Sequence, residues 1–217
     1  MAVGGTASAP TLGILDREHH GVDLRDCGLH SPGLSSALSV VADFITKADL
    51  APYDVKTRSG ELKHVLLTES PDGELMLRLV VRSTADEARV RKHLPWLLSS
   101  LPALRVVSLN IQPSHAAVLE GVREIVLTPD TALPMRLEGL ELALRPQGFF
   151  QTNTFVAAAL YARPARGRRR SSRPRCGTST AASAASPCRV RRTAGRSPAS
   201  SCPSRRSQRR RPQHPPE

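Results

Sequence analysis

Residues 145–153, RPQGFFQTN, place two adjacent aromatics beside two carboxamides and a hydroxyl. Aromatic faces stack on flat heterocycles and amides pair with their polar edges, so this run could form the wall of a nucleotide pocket. A structural role suits the same residues: Phe149 and Phe150 as core, with Thr152 or Asn153 capping the helix that follows. Cys27 is the second group with chemistry to offer. With His30, His19 and His20 it could be read as part of a zinc site, but one Cys–His spacing beside a solvated histidine pair is a weak metal signature. Cys176, Cys188 and Cys202 fall in an Arg-rich stretch without a C-x-x-C pair. Together with Cys27 these three make no disulfide framework, which points to reduced thiols and a cytoplasmic protein.

The elements that must hold these residues alternate in type. TLGIL (11–15) reads as a short strand. Ser31-Pro32 supplies an N-cap and a first-turn proline, and Leu34, Leu38, Val41 and Ile45, widened by Ala37 and Phe44, predict an amphipathic helix over about 32–48. KHVLLTESPDGELMLRLVVRS (63–83) predicts a hairpin turning at Pro71-Asp72-Gly73. Thr84-Ala85-Asp86-Glu87 fits a capping box opening a helix that Pro95 should stop or bend. Strands are expected at 105–112, 123–128 and 137–145, then a helix in NTFVAAALYAR. Antiparallel hairpins with helices on one side give an α+β class.

Charge divides the chain at about residue 163. Residues 163–217 hold 16 of the 31 Lys+Arg and one of the 19 Asp+Glu, a net 16 − 1 = +15, which leaves 15 − 18 = −3 for the rest. The closing stretch has no aromatic residue and almost nothing apolar larger than Ala, so it cannot bury enough surface to offset its ordering entropy and is expected to be disordered. Taken at face value it is an Arg/Ser/Pro-rich tail that binds RNA through phosphate neutralisation, salt-dependently and without sequence preference. No run approaches the roughly 20 apolar residues of a membrane span, and the N-terminus lacks the pattern of a secretory signal.

From TLGILD through DLRDCGL, LAPYDVKTRSGELKHVLLTES, LMLRLVVRS, LPWLLSSLP and SLNIQPSHAAVLEG to RPQGFFQTN, residues 1–162 resemble the RNA 5-methyluridine methyltransferases, most of all the branch acting on a uracil of 23S ribosomal RNA. The resemblance implies an S-adenosylmethionine-dependent enzyme acting on 23S ribosomal RNA, expected to be a monomer in the cytoplasm without a membrane partner. Its plan has an N-terminal iron–sulfur region, a central α+β domain corresponding to 1–162, and a Rossmann-like donor domain. In the implied chemistry a cysteine thiolate adds to uracil C6, C5 attacks the sulfonium methyl, and a base removes the C5 proton. By this resemblance Gln151 contacts the methyl donor, Phe149 lies against the target uracil and Phe150 is packing.

Two parts of that plan are not found in the sequence. Three cluster cysteines would lie upstream of Met1, so Cys27 is expected to be an orphan ligand of a 4Fe-4S cluster this chain does not bind. Met1 itself falls inside a family strand, which suggests N-terminal truncation. The donor loop, nucleophile and base should follow RPQGFFQTN, where the Arg-rich segment stands instead. Reading possible codons of RPRCGTSTAASAASPCR one base earlier permits TVRDLYCGVGGFAL, and GRSPASSCPS permits RSLTGIELS; the two resemble the donor loop and the next strand in the right order. Residues from about 163 are therefore expected to be a frame-shifted translation with no catalytic residue, leaving an inactive fragment. A non-catalytic RNA-binding protein with a basic tail is the alternative.

Overall fold

Ser31 starts the first helix as its side chain dictates: Oγ accepts from the Leu34 amide at 3.1 Å, and Pro32 occupies the first turn, where no amide donor is required. The computed structural model describes residues 1–137, 139–151, 156, 157, 159 and 160. Helix α1, Pro32–Lys47, buries Ala37, Leu38, Val41, Ala42, Phe44 and Ile45 as one stripe. The strands before it are β1 (Ala2–Gly5), β2 (Pro10–Leu15) and β3 (Gly21–Asp23). Of these only β2 was legible, because β1 and β3 are too short to show a period.

Strands β4 (Leu62–Glu69) and β5 (Leu75–Val81) form the expected hairpin, with Gly73 at φ +78° in its turn. Helix α2, Glu87–Ser100, then crosses to β6 (Leu104–Ile111), and β7 (Arg123–Val126) follows. The sheet order is β3-β2-β1-β4-β5-β6-β7. It is not antiparallel throughout: β5 and β6 run parallel. The reason is the connection, since a helix of this length returns the chain to the starting end of the sheet, whereas tight turns force reversal.

Two local readings of α2 are corrected. Asp86, not Thr84, is the N-cap; it makes no side-chain capping bond and instead pairs with Arg89 at 2.8 Å. The helix also runs through Pro95 to Ser100. Tertiary burial of Val90, Leu94 and Leu97 outweighs the one amide donor that proline removes. The single strand expected over 137–145 is a second hairpin, β8 (Leu133–Leu137) with β9 (Leu140–Leu144), around Gly139 at φ +85°.

Alternation along β5 and β6 sends side chains to two covered faces. Leu77, Leu79, Val107 and Leu109 join the α1 and α2 side in the main core. Met76 and Val106 face the other way and pack with Leu133, Met135 and Leu144 of the β8–β9 hairpin, with Phe150 against them. β5, central and covered on both sides, is buried at all seven positions. Residues 156, 157, 159 and 160 are helical, consistent with a helix in NTFVAAALYAR; the Thr152 and Asn153 caps and the Arg-rich tail lie outside the described residues.

Candidate functional site

A cleft of about 660 Å³ lies where the segment 144–151 meets β4, β5 and the start of α1. Gln151 is exposed and lines it, beside Phe150, Pro146 and Arg78. Phe149 is 81% exposed and is not among the residues lining the cleft. The core reading therefore holds for Phe150 and fails for Phe149. Gln147 docks the segment, its Nε2 donating to the Val122 carbonyl at 3.0 Å, and a turn closes where the Gly148 amide donates to Arg145 O at 2.8 Å.

Arg78, on the β5 wall of the cleft, heads a charged and largely buried network that reaches β6 and β7. Arg78, its side chain 6% exposed, donates from Nε and Nη2 to the two Glu124 oxygens at 3.1 and 2.8 Å and from Nη2 to Glu120 at 2.9 Å. Ser108 Oγ at 2.5 Å and Asn110 Nδ2 at 2.7 Å also donate to Glu124. Burial works to raise the Glu124 carboxyl, but these hydrogen bonds, Arg78 first, outweigh it and hold it below the ordinary range. At the other rim Glu69 accepts a short hydrogen bond from Ser31 Oγ at the start of α1, where negative charge is favoured. A Cβ at Gly33 would stand 2.2 Å from Glu69 Oε1, so a larger residue there would have to push that carboxylate aside.

This network was not singled out from the sequence, although a signal exists. In RVVSLNIQ, Ser108, Asn110 and Gln112 alternate with Val107, Leu109 and Ile111, yet all three polar residues are buried. A strand with one apolar and one polar face normally turns the polar face to water. Here both faces are covered.

A second cavity, about 310 Å³, is lined by His19, Tyr53, Lys63, His64 and His115 among others. Lys63 Nζ donates to Gln112 O and Ser114 O at 2.8 Å each and, more closely, to Gln112 Oε1, while sitting 4.7 Å from the Tyr53 ring centroid. Its three protons are thereby committed to carbonyl oxygens. Lys63 braces the 112–115 turn and has none left for an anion.

No family model matches the chain. Over 163 residues it is 50% identical to the 23S rRNA (uracil(747)-C(5))-methyltransferase RlmC of Edwardsiella ictaluri and 51% identical to that of Yersinia pseudotuberculosis, covering 75% of this chain and 43% of each relative. The chain is a partial homologue of the RNA uracil-C5 methyltransferases. It spans under half the length of the curated relatives it matches. Among solved structures, a Pyrococcus abyssi tRNA (uracil-54, C5)-methyltransferase in complex with S-adenosyl-L-homocysteine superposes with TM-score 0.59 at 19% identity, over 76% of this chain and 39% of that one. That likeness is one of fold.

The iron–sulfur cluster expected of this methyltransferase family does not fit the residues described. Cys27 is the one free cysteine among them, partly buried in the loop before α1, and a four-iron cluster needs four such ligands. The zinc reading gains nothing either. His30 Nε2 lies 3.0 Å from Leu24 O, His19 lines the smaller cavity, and His20 is grouped with Asp16 and Glu18, all exposed, rather than with Cys27. Among the described residues no helix is long and apolar enough to cross a membrane.

His64 supplies a pH prediction. Burial, then the nearby N-terminal ammonium and Lys63, lower its pKa from 6.5 to about 4. The native state thus holds fewer protons, so this contribution is complete above pH 6.5 and is lost as pH falls toward 4. The full shift corresponds to roughly 3 kcal/mol, and the half-buried ring's solvent access reduces that to on the order of 1–2 kcal/mol. Urea midpoints followed from pH 7 to 4 should fall accordingly, and His64→Gln should flatten that part of the profile.

Proposed function

We propose that residues 1–162 are the central domain of an S-adenosylmethionine-dependent 23S rRNA uracil-C5 methyltransferase of the cytoplasm, acting as a monomer. Gln151 contacts the methyl donor and Phe149 lies against the target uracil. The observation that carries this reading is the 50% identity over 163 residues to relatives of that name, together with Gln151 standing on the wall of the larger cleft. Exposure suits Phe149 to the role, because an aromatic that stacks on a flipped base must not be used up in the core. On this reading the thiol nucleophile and the base that takes the C5 proton lie outside residues 1–162, and Glu69 and Glu124 serve as hydrogen-bond acceptors within the fold.

The Arg-rich segment is, on this reading, a shifted-frame translation of the donor domain, and the chain as it stands does not transfer methyl groups. The match takes in 163 residues, 75% of the chain, and a frame change near residue 163 would leave a remainder of about that size unmatched. Reading the gene's nucleotides decides the matter, since stop codons before a complete donor domain would refute it. The frame-restored protein is expected to bind S-adenosylhomocysteine, and Gln151→Ala to weaken that binding about tenfold, the loss of one amide contact. Calorimetry checks this. Unchanged affinity in the variant removes Gln151 from the donor site, and methylation by the chain as given removes the claim of inactivity. Loss of a specific rRNA interaction on deleting 163–217 would favour the non-catalytic RNA-binding reading.

A further inference from the structure

We infer that Asn110 is a positioning residue for the segment that carries Phe149 and Gln151, acting through Gly121 and Gln147. The inference rests on the role proposed above for those two residues. Asn110, on β6, is buried, and its carboxamide exchanges two hydrogen bonds with one glycine: Oδ1 accepts from the Gly121 amide at 2.6 Å and Nδ2 donates to Gly121 O at 3.0 Å. The same Nδ2 donates to Glu124, which Arg78 on the wall of the cleft holds in place. A Cβ on Gly121 would lie 1.8 Å from Ile111 O, so the backbone comes this close to β6 only because the residue is glycine.

The clamped turn presents two carbonyls outward. Gln147 Nε2 donates to Val122 O at 3.0 Å and reaches Gly121 O at 3.5 Å. A contiguous polar relay therefore runs from Arg78 through Glu124, Asn110 and Gly121 to Gln147. Gln147 is two residues from Phe149 and four from Gln151. The segment lies outside the strands, and alongside the packing of Phe150 this relay ties it to the sheet. Residues 113–122 form a loop in which Val118, Leu119 and Val122 are exposed, and a loop without a core of its own holds its shape only through such clamps.

The test uses the full chain labelled with fluorophenylalanine. Its four phenylalanines include Phe44, fully buried in the main core, as an internal control. Fluorine NMR, with resonances assigned by single Phe→Leu replacements, should show Asn110→Ala and Gln147→Ala moving the Phe149 and Phe150 signals in the same direction while Phe44 stays put. The double variant should add nothing to either single one. Gln147→Lys, which retains an N–H donor of similar reach, should keep the signals near their original positions, an outcome that general loss of structure would not produce. The inference is overturned if Gln147→Ala moves the signals and Asn110→Ala does not, or if neither moves them. Should Asn110→Ala unfold, seen as collapse of the Phe44 signal, Gln147→Ala decides alone: unchanged Phe149 and Phe150 signals refute the relay. No methyl donor enters these measurements, so failure of the donor-binding test on Gln151 and failure of this one are separately visible.

Discussion

Arg78→Leu is expected to destabilise the protein by about 3–5 kcal/mol, read from urea unfolding, because it leaves the Glu124 carboxylate without its counter-ion in a buried setting. Glu124 would keep its bonds from Ser108 and Asn110, but those donors are neutral and cannot offset the burial that already opposes its charge. Its depressed pKa contributes stability above the ordinary carboxylate range that disappears on acidification, and the variant should lose that acid-side dependence first. The double variant Arg78→Leu, Glu124→Leu should recover a large part of the loss, since two apolar side chains replace a paired charge without orphaning either. A double variant as unstable as the single one would show that Arg78 acts by packing rather than charge. Glu120, more exposed than Glu124, can be left to water in both.

Phe44→Ala should cost about 3–5 kcal/mol, the ordinary range for emptying an aromatic site in a close-packed core. Phe44 is fully buried where α1 meets the sheet, within the cluster that includes Leu77, Leu79 and Leu109. A domain of ordinary stability has only about 5–15 kcal/mol in total, so the change removes a large share of it. Thermal melts measure it. Val122→Ala, at a position 97% exposed, provides the matched comparison and should change little.

Helix α1 shows what is readable from residues alone. A cap, a first-turn proline and an apolar stripe are all local, and each forces the same conclusion wherever the chain goes next. The β4–β5 hairpin is equally local, because Pro71-Asp72-Gly73 presets its turn. The α2 boundary was misread for the converse reason: Thr84 and Glu87 match a capping pattern, but Arg89 and the burial of Asp86 decide which residue ends up at the cap. Likewise Pro95 has a local cost that the packing of Leu94 and Leu97 outweighs.

By itself, then, the sequence determined that the first three quarters can build an apolar interior and that its acidic balance contrasts with the basic final quarter. Tertiary structure alone decided that β6 runs parallel to β5 and that a second hairpin covers the far face of the sheet. It also turned Phe150 inward while leaving Phe149 in solvent. The physical reason is range. Propensity, capping and turn chemistry act within a few residues, whereas Arg78 and Glu124 meet across 46 residues of chain, and no periodicity in either strand announces the partner.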